Sequence, residues 1–116
     1  MGILVIREQV TPAQLRQMLE EYASDEYVKL AVDLEQGILA GDGEWHADCE
    51  AVLLEMDCDS LSIWGAGWLW RTQQVTFDSL INIRLKQGNR TLELEDPKLR
   101  ERVSSIVTKL FAGVNP

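Results

Sequence analysis

The apolar positions of this chain alternate in some stretches and follow a helical period in others, and the switches between the two mark its elements. Ile3 to Ile6 is an apolar, β-branched run and predicts a first strand. Thr11-Pro12-Ala13-Gln14 predicts a helix start, with Thr as cap, Pro in the first helical position and Gln placed to close a capping box. Leu15, Met18, Leu19 and Tyr22 then share one helical face, and the helix is expected to end near Ser24. Tyr27 to Leu34 alternates, with Val28, Leu30, Val32 and Leu34 on one face and Tyr27, Lys29, Ala31 and Asp33 on the other. Glu35-Gln36-Gly37 reads as a tight turn into a returning strand, Ile38 to Ala40, followed by a Gly41-Asp42-Gly43 loop.

Cys49, Val52, Leu53 and Met56 have helical spacing, so a second helix begins within Glu44 to Asp48. Leu61 to Trp70 reads as a strand, with Gly65 and Gly67 as bulges or points of close backbone approach. Gln74 to Leu85 reads as another, Phe77, Ser79, Ile81 and Ile83 on one face and Asp78, Asn82 and Arg84 on the other. A loop through Gln87-Gly88-Asn89-Arg90 leads to the last helix. Asp96 caps it, Pro97 opens it, and Leu99, Val103, Ile106, Val107 and Leu110 form its buried stripe before Ala112-Gly113. The order β-α-β-β-α-β-β-α predicts an α+β two-layer sandwich: an antiparallel-rich sheet of about five strands with three helices on one face.

At 116 residues the chain is expected to form a single compact domain over 1–116. Hydrophobic residues at 46% and charged residues at 26% suit a soluble protein, and no apolar run approaches the ~20 residues of a membrane span. The N-terminus is not expected to be a signal peptide, and Arg7 stands where a myristoylation motif prefers Ser or Thr. A cytoplasmic location follows as the expectation. There, Cys49 and Cys58 are read as free thiols, one buried and one semi-exposed.

The formal net charge of −8 argues against general nucleic-acid binding. The charge is uneven. Residues 20–59 hold thirteen acids and one base, a net of −12, whereas residues 84–102 hold six bases and four acids, a net of +2. Solvated faces and ion pairs between the halves are the plain explanation.

Three groups of residues could carry chemistry. Asn82, Arg84, Gln87, Asn89 and Arg90 place many donors in a short span, and Gly88 can turn backbone N–H groups toward an anion. With His46 nearby, they form the candidate ligand-binding set for a small anion. The competing reading is a loop that satisfies its own backbone and ties the last helix to the sheet. Glu44, His46 and Asp48 offer oxygen and nitrogen donors to a divalent metal, with Asp33, Glu35 and Asp42 able to complete a set. Against this, the same carboxylates can cap a helix and complement its dipole. Trp64, Trp68 and Trp70 share parity in one strand, either as core or as an aromatic patch at a homodimer interface.

Gly43-Glu44-Trp45-His46-Ala47-Asp48, Ile63-Trp64-Gly65, Phe77-Asp78-Ser79-Leu80-Ile81-Asn82-Ile83-Arg84 and Gln87-Gly88-Asn89-Arg90 occur in that order and spacing. Together they resemble the bacterial domain of unknown function 5674 family over nearly the whole chain. Residues 66–71 are richer in tryptophan than the family pattern, and Leu85-Lys86 replaces a Pro-Ser-like pair. The resemblance implies a compact intracellular bacterial domain and carries over no activity, cofactor or catalytic residue. Three functional expectations stand: a small-ligand or anion-binding domain, an interaction module or homodimer without chemistry, and a metal-assisted hydrolase. The catalytic residues and any cofactor stay open.

Overall fold

The computed structural model describes residues 2–21 and 26–116. These form β1 (Leu4–Ile6), α1 (Pro12–Glu21), β2 (Tyr27–Asp33), β3 (Ile38–Gly41), α2 (His46–Glu55), β4 (Ile63–Leu69), β5 (Gln74–Thr76) and α3 (Pro97–Phe111). One-turn 3-10 helices lie at Ser60–Ser62, Leu80–Asn82 and Leu85–Gln87. The expected α+β class, element order, five strands and three helices hold. The expected place of Tyr22 on the first helix, and that helix's end near Ser24, fall outside the described residues.

Local chemistry explains the elements. The Thr11 N–H donates to Gln14 Oε1 at 2.9 Å and the Gln14 N–H donates to Thr11 Oγ1 at 3.1 Å, which is a closed capping box. Asp96 accepts from the Lys98 N–H at 2.9 Å, and Pro97 opens α3 without a donor to lose. Gly37, at φ 69°, makes the turn that pairs β2 with β3.

All pairings in the sheet are antiparallel, in the order β1-β3-β2-β4-β5. Val32 stands between Leu39 and Trp64, and Ala31 between Ala40 and Gly65. Successive residues face opposite sides, so these two rows belong to two cores. The larger core joins Leu30, Val32, Leu39, Trp64 and Trp68 to α1 and α3 through Leu15, Met18, Val103, Val107 and Phe111. The smaller joins Ala31, Ala40 and Ile63 to α2 through Cys49 and Leu53. The expectation of helices on one face is therefore corrected: α1 and α3 cover one face and α2 the other. Small residues at Ala31, Ala40 and Gly65 leave room for that second layer. Each fully buried large side chain contributes about 1.5–3 kcal/mol, so both faces stabilise the fold.

Three further expectations change, and the choice left open for the tryptophans resolves to core. The strand read as Gln74 to Leu85 stops at Thr76. Ser79 Oγ accepts from the Ile81 N–H at 3.3 Å, a local bond that turns the chain out of the sheet into a 3-10 helix. The alternation of Phe77, Ile81 and Ile83 is then lost: Phe77 packs on the larger core, Ile81 on the smaller, and Ile83 is exposed. Trp64 and Trp68 are interior, Trp68 lying 5.8 Å from Phe111 between ring centroids, so they form core rather than an interface. Cys58 is buried like Cys49, because it closes the end of the second core. The N-cap of α2 is Trp45 and receives no side-chain bond, so neither Glu44 nor Asp48 caps that helix.

Candidate functional site

β5 pairs with β4 only over Gly67–Leu69, so among the described residues no strand lies beside the outer edge of β4 from Ile63 to Gly65. Backbone groups there must find other partners. Side chains of the polar run supply them. Asn82 is fully buried, and its amide reproduces the pairing of a neighbouring strand. Its Oδ1 accepts from the Gly65 N–H at 2.7 Å and its Nδ2 donates to the Gly65 carbonyl at 3.0 Å. Nδ2 also lies 3.0 Å from the Phe77 carbonyl and 3.4 Å from that of Leu92. Gly65 is required: a Cβ there would collide with the Ser79 side chain.

Arg84 continues the same edge. Its Nε donates to the Ile81 carbonyl at 3.0 Å. One terminal nitrogen donates to the Ser60 carbonyl at 2.7 Å and to Gln87 Oε1 at 3.2 Å. The other donates to the Ile63 carbonyl and to Glu50 Oε2, the latter at 3.3 Å. That accounts for all five guanidinium donors. The guanidinium also stacks 4.5 Å from the Trp64 ring centroid. Burial pulls the Arg84 pKa below its usual value, and Glu50 opposes the shift.

Asn89 locks the far end. Buried, it donates through Nδ2 to the carbonyls of Asn82 at 2.7 Å, Thr91 at 3.0 Å and Glu93 at 2.9 Å, and its Oδ1 accepts from the Glu95 N–H at 2.8 Å. Its backbone pairs with that of Arg84 in both directions, at 2.7 and 3.0 Å. Gly88, at φ 80°, closes this small loop in the left-handed region. Gln87 Nε2 reaches the Leu61 carbonyl at 3.1 Å. Arg90 is tied in by its backbone N–H, 2.7 Å from Glu95 Oε2, while its side chain is exposed.

The expected set is thus brought together at Asn82, Arg84, Gln87 and Asn89, but its donors point into the chain. His46 joins β4 one residue along, Nε2 lying 3.0 Å from the Ala66 carbonyl. A carbonyl partner requires Nε2 to carry the proton. Burial lowers the His46 pKa; the Ala66 carbonyl opposes this, Lys29 lowers it further and Asp78 raises it. Folded His46 therefore binds its proton more weakly than the unfolded chain, whose histidine titrates near about 6.5. Its contribution to stability is whole above about pH 6.5 and is lost as pH falls through the lower folded value. In urea melts at about pH 7.5 and 5, His46→Gln should lose less stability on acidification than the parent protein. Equal losses in the two proteins would remove this role.

Glu44 and Asp48 are exposed, and the Glu44 carbonyl accepts from Lys29 Nζ at 2.8 Å. Among the described residues no three His, Cys, Asp or Glu side chains are grouped as a metal ion requires. Burial pushes the Cys49 thiol up to about 11. Cys58 is also pushed up to about 11, by burial first and by the nearby Asp33 carboxylate second. Thiols held this high are protonated at neutral pH and poor nucleophiles.

What sequence reasoning missed is the outer surface of the clamped segment. Leu80 is 75% exposed, Leu85 72%, Ile83 46% and Leu92 45%, and Leu61, 63% exposed, stands where Gln87 holds its carbonyl. The signal was present in Leu80, Ile83 and Leu85, apolar residues interleaved with the polar ones. Assigned to a strand, they looked half-buried.

A family model described as "Protein of unknown function (DUF5674)" matches residues 4–110. No curated protein and no solved structure matches the chain.

Proposed function

This chain belongs to the DUF5674 family, and we propose that it is a protein-interaction domain that docks a second copy of itself through the apolar rim of residues 80–92 and Leu61. One observation carries the reading: a segment without strand structure is held rigid by three fully engaged polar side chains, yet turns aliphatic side chains to solvent. Surface loops are ordinarily polar, and a contiguous exposed apolar patch marks an interaction site. A preorganised patch also loses little conformational freedom on docking. A second copy suits this face because it lies where bases outnumber acids, so the repulsion between two chains of net charge −8 is least there. The family resemblance supports reading the chain as a single compact bacterial domain that works in the cytoplasm. No described helix is long and apolar enough to cross a membrane.

Light scattering up to about 1 mM protein should approach twice the 13.1 kDa chain mass. Leu80→Glu with Leu85→Glu should return the monomer mass with the thermal midpoint nearly unchanged, because both side chains are exposed. A 13.1 kDa particle throughout that range sinks the proposal. So does a dimer that the double variant leaves intact.

A further inference from the structure

A groove of about 630 Å³ runs between the β2–β3 turn and α3, lined by Leu34, Glu35, Gln36, Lys98, Arg102 and Ile106 among others. It shares Leu34, Glu35 and Arg102 with a second hollow of about 290 Å³, which extends over Trp64 and Leu99 toward Leu61. The two together fall in the size range of small-molecule sites. Leu34 and Ile106 supply apolar lining, the turn side carries a negative charge, and the α3 side carries a net positive one. Glu35 stands on the turn. Lys98 and Arg102 stand one helical turn apart on α3, with Glu101 between them.

The charges do not close on one another. The ion pairs seen among the described residues are Arg71 with Glu26 and Arg84 with Glu50, and none of the four groove charges takes part. One Arg102 terminal nitrogen lies 3.5 Å from the Leu34 carbonyl, which holds the guanidinium beside the groove and leaves other donors open. A carboxylate on one side, and on the other a guanidinium and an ammonium that outnumber the single Glu101 carboxylate between them, match a ligand carrying both charges and an apolar body.

We propose that this groove binds a free amino acid with a large apolar side chain. Its ammonium meets Glu35, its carboxylate takes two donors from Arg102 with Lys98 beside it, and its side chain enters the lobe over Leu99 and Trp64. The groove reaches the proposed docking rim at Leu61 and Gln87, but its charged residues, Glu35, Lys98 and Arg102, lie outside that rim and are tested by their own variants, so either reading can fail alone.

Thermal melts with free phenylalanine or leucine test it. Either amino acid should raise the midpoint in a concentration-dependent way, since a ligand bound only by the folded state stabilises it. Phenethylamine and N-acetylphenylalanine each keep one of the two charges and should bind at least about tenfold more weakly. Arg102→Gln and Glu35→Gln alter exposed side chains, so both proteins should fold, and each should weaken the response about tenfold or more. No midpoint shift with either amino acid, equal shifts with the single-charge analogues, or full response in both variants would each overturn the assignment.

Discussion

Replacing Asn82 by leucine is expected to lower stability by about 3–5 kcal/mol, since each buried backbone group left without a partner costs about 1–3 kcal/mol. Leucine has nearly the shape of asparagine and none of its polar atoms. The Gly65 N–H and carbonyl would both lose their partner at once, and the Phe77 carbonyl would keep only the Leu94 N–H. Water cannot easily replace it, because the site is fully buried. Small domains have about 5–15 kcal/mol in total, so the variant should melt early and expose the 80–92 segment to proteolysis. Asn82→Asp separates the two halves of the amide. It keeps an acceptor for the Gly65 N–H but sets a second oxygen against the carbonyls of Gly65, Phe77 and Leu92. Its stability should therefore fall as pH rises and the carboxyl ionises. A loss below about 1 kcal/mol for Asn82→Leu in urea melts would mean that the edge of β4 does not depend on this side chain.

Arg84→Met should cost about 3 kcal/mol, at the lower end for breaking a buried ion pair, because Glu50 retains some contact with water. The carbonyls of Ile63 and Ile81 lose the donor Arg84 gives them as well, and that of Ser60 keeps only the Ile63 N–H. Arg84→Lys should recover less than half of the loss, since one ammonium cannot span partners that a planar guanidinium reaches with five donors. Phosphate, nucleotides and simple carboxylates should leave the parent protein's midpoint unchanged at this position, because every Arg84 donor already has an acceptor within the chain. A clear midpoint rise with phosphate that disappears in Arg84→Lys would restore the anion-site reading and defeat the structural one.

The helix boundaries at Thr11 and Asp96, the β2–β3 turn and the parity of Trp64 and Trp68 could be read in advance, because each depends on residues within a few positions. The end of β5 could not. The Ser79-to-Ile81 bond that stops it is local, but whether it prevails depends on Gly65, a residue fourteen positions upstream that leaves space for Ser79. The polar run was visible as a concentration of donors. Its orientation was not, since the same amides and guanidinium could face an anion in solvent or a bare strand edge.

Local order along the chain determined the α+β class, the element order and the two short segments, Asn82-Ile83-Arg84 and Gly88-Asn89-Arg90, on which the surface depends. Periodicity and capping act over a few residues, so a single sequence carries them completely. Tertiary structure decided three other matters: that α2 lies opposite α1 and α3, that the donors turn inward, and that the leucines beside them turn outward. The first follows from the small residues Ala31, Ala40 and Gly65 on one face of the sheet, and the other two from β5 ending two residues short of Gly65's row and leaving β4 an edge to satisfy. A buried backbone group without a partner costs more than an exposed leucine, so the side chains that could donate went in and those that could not were left at the surface.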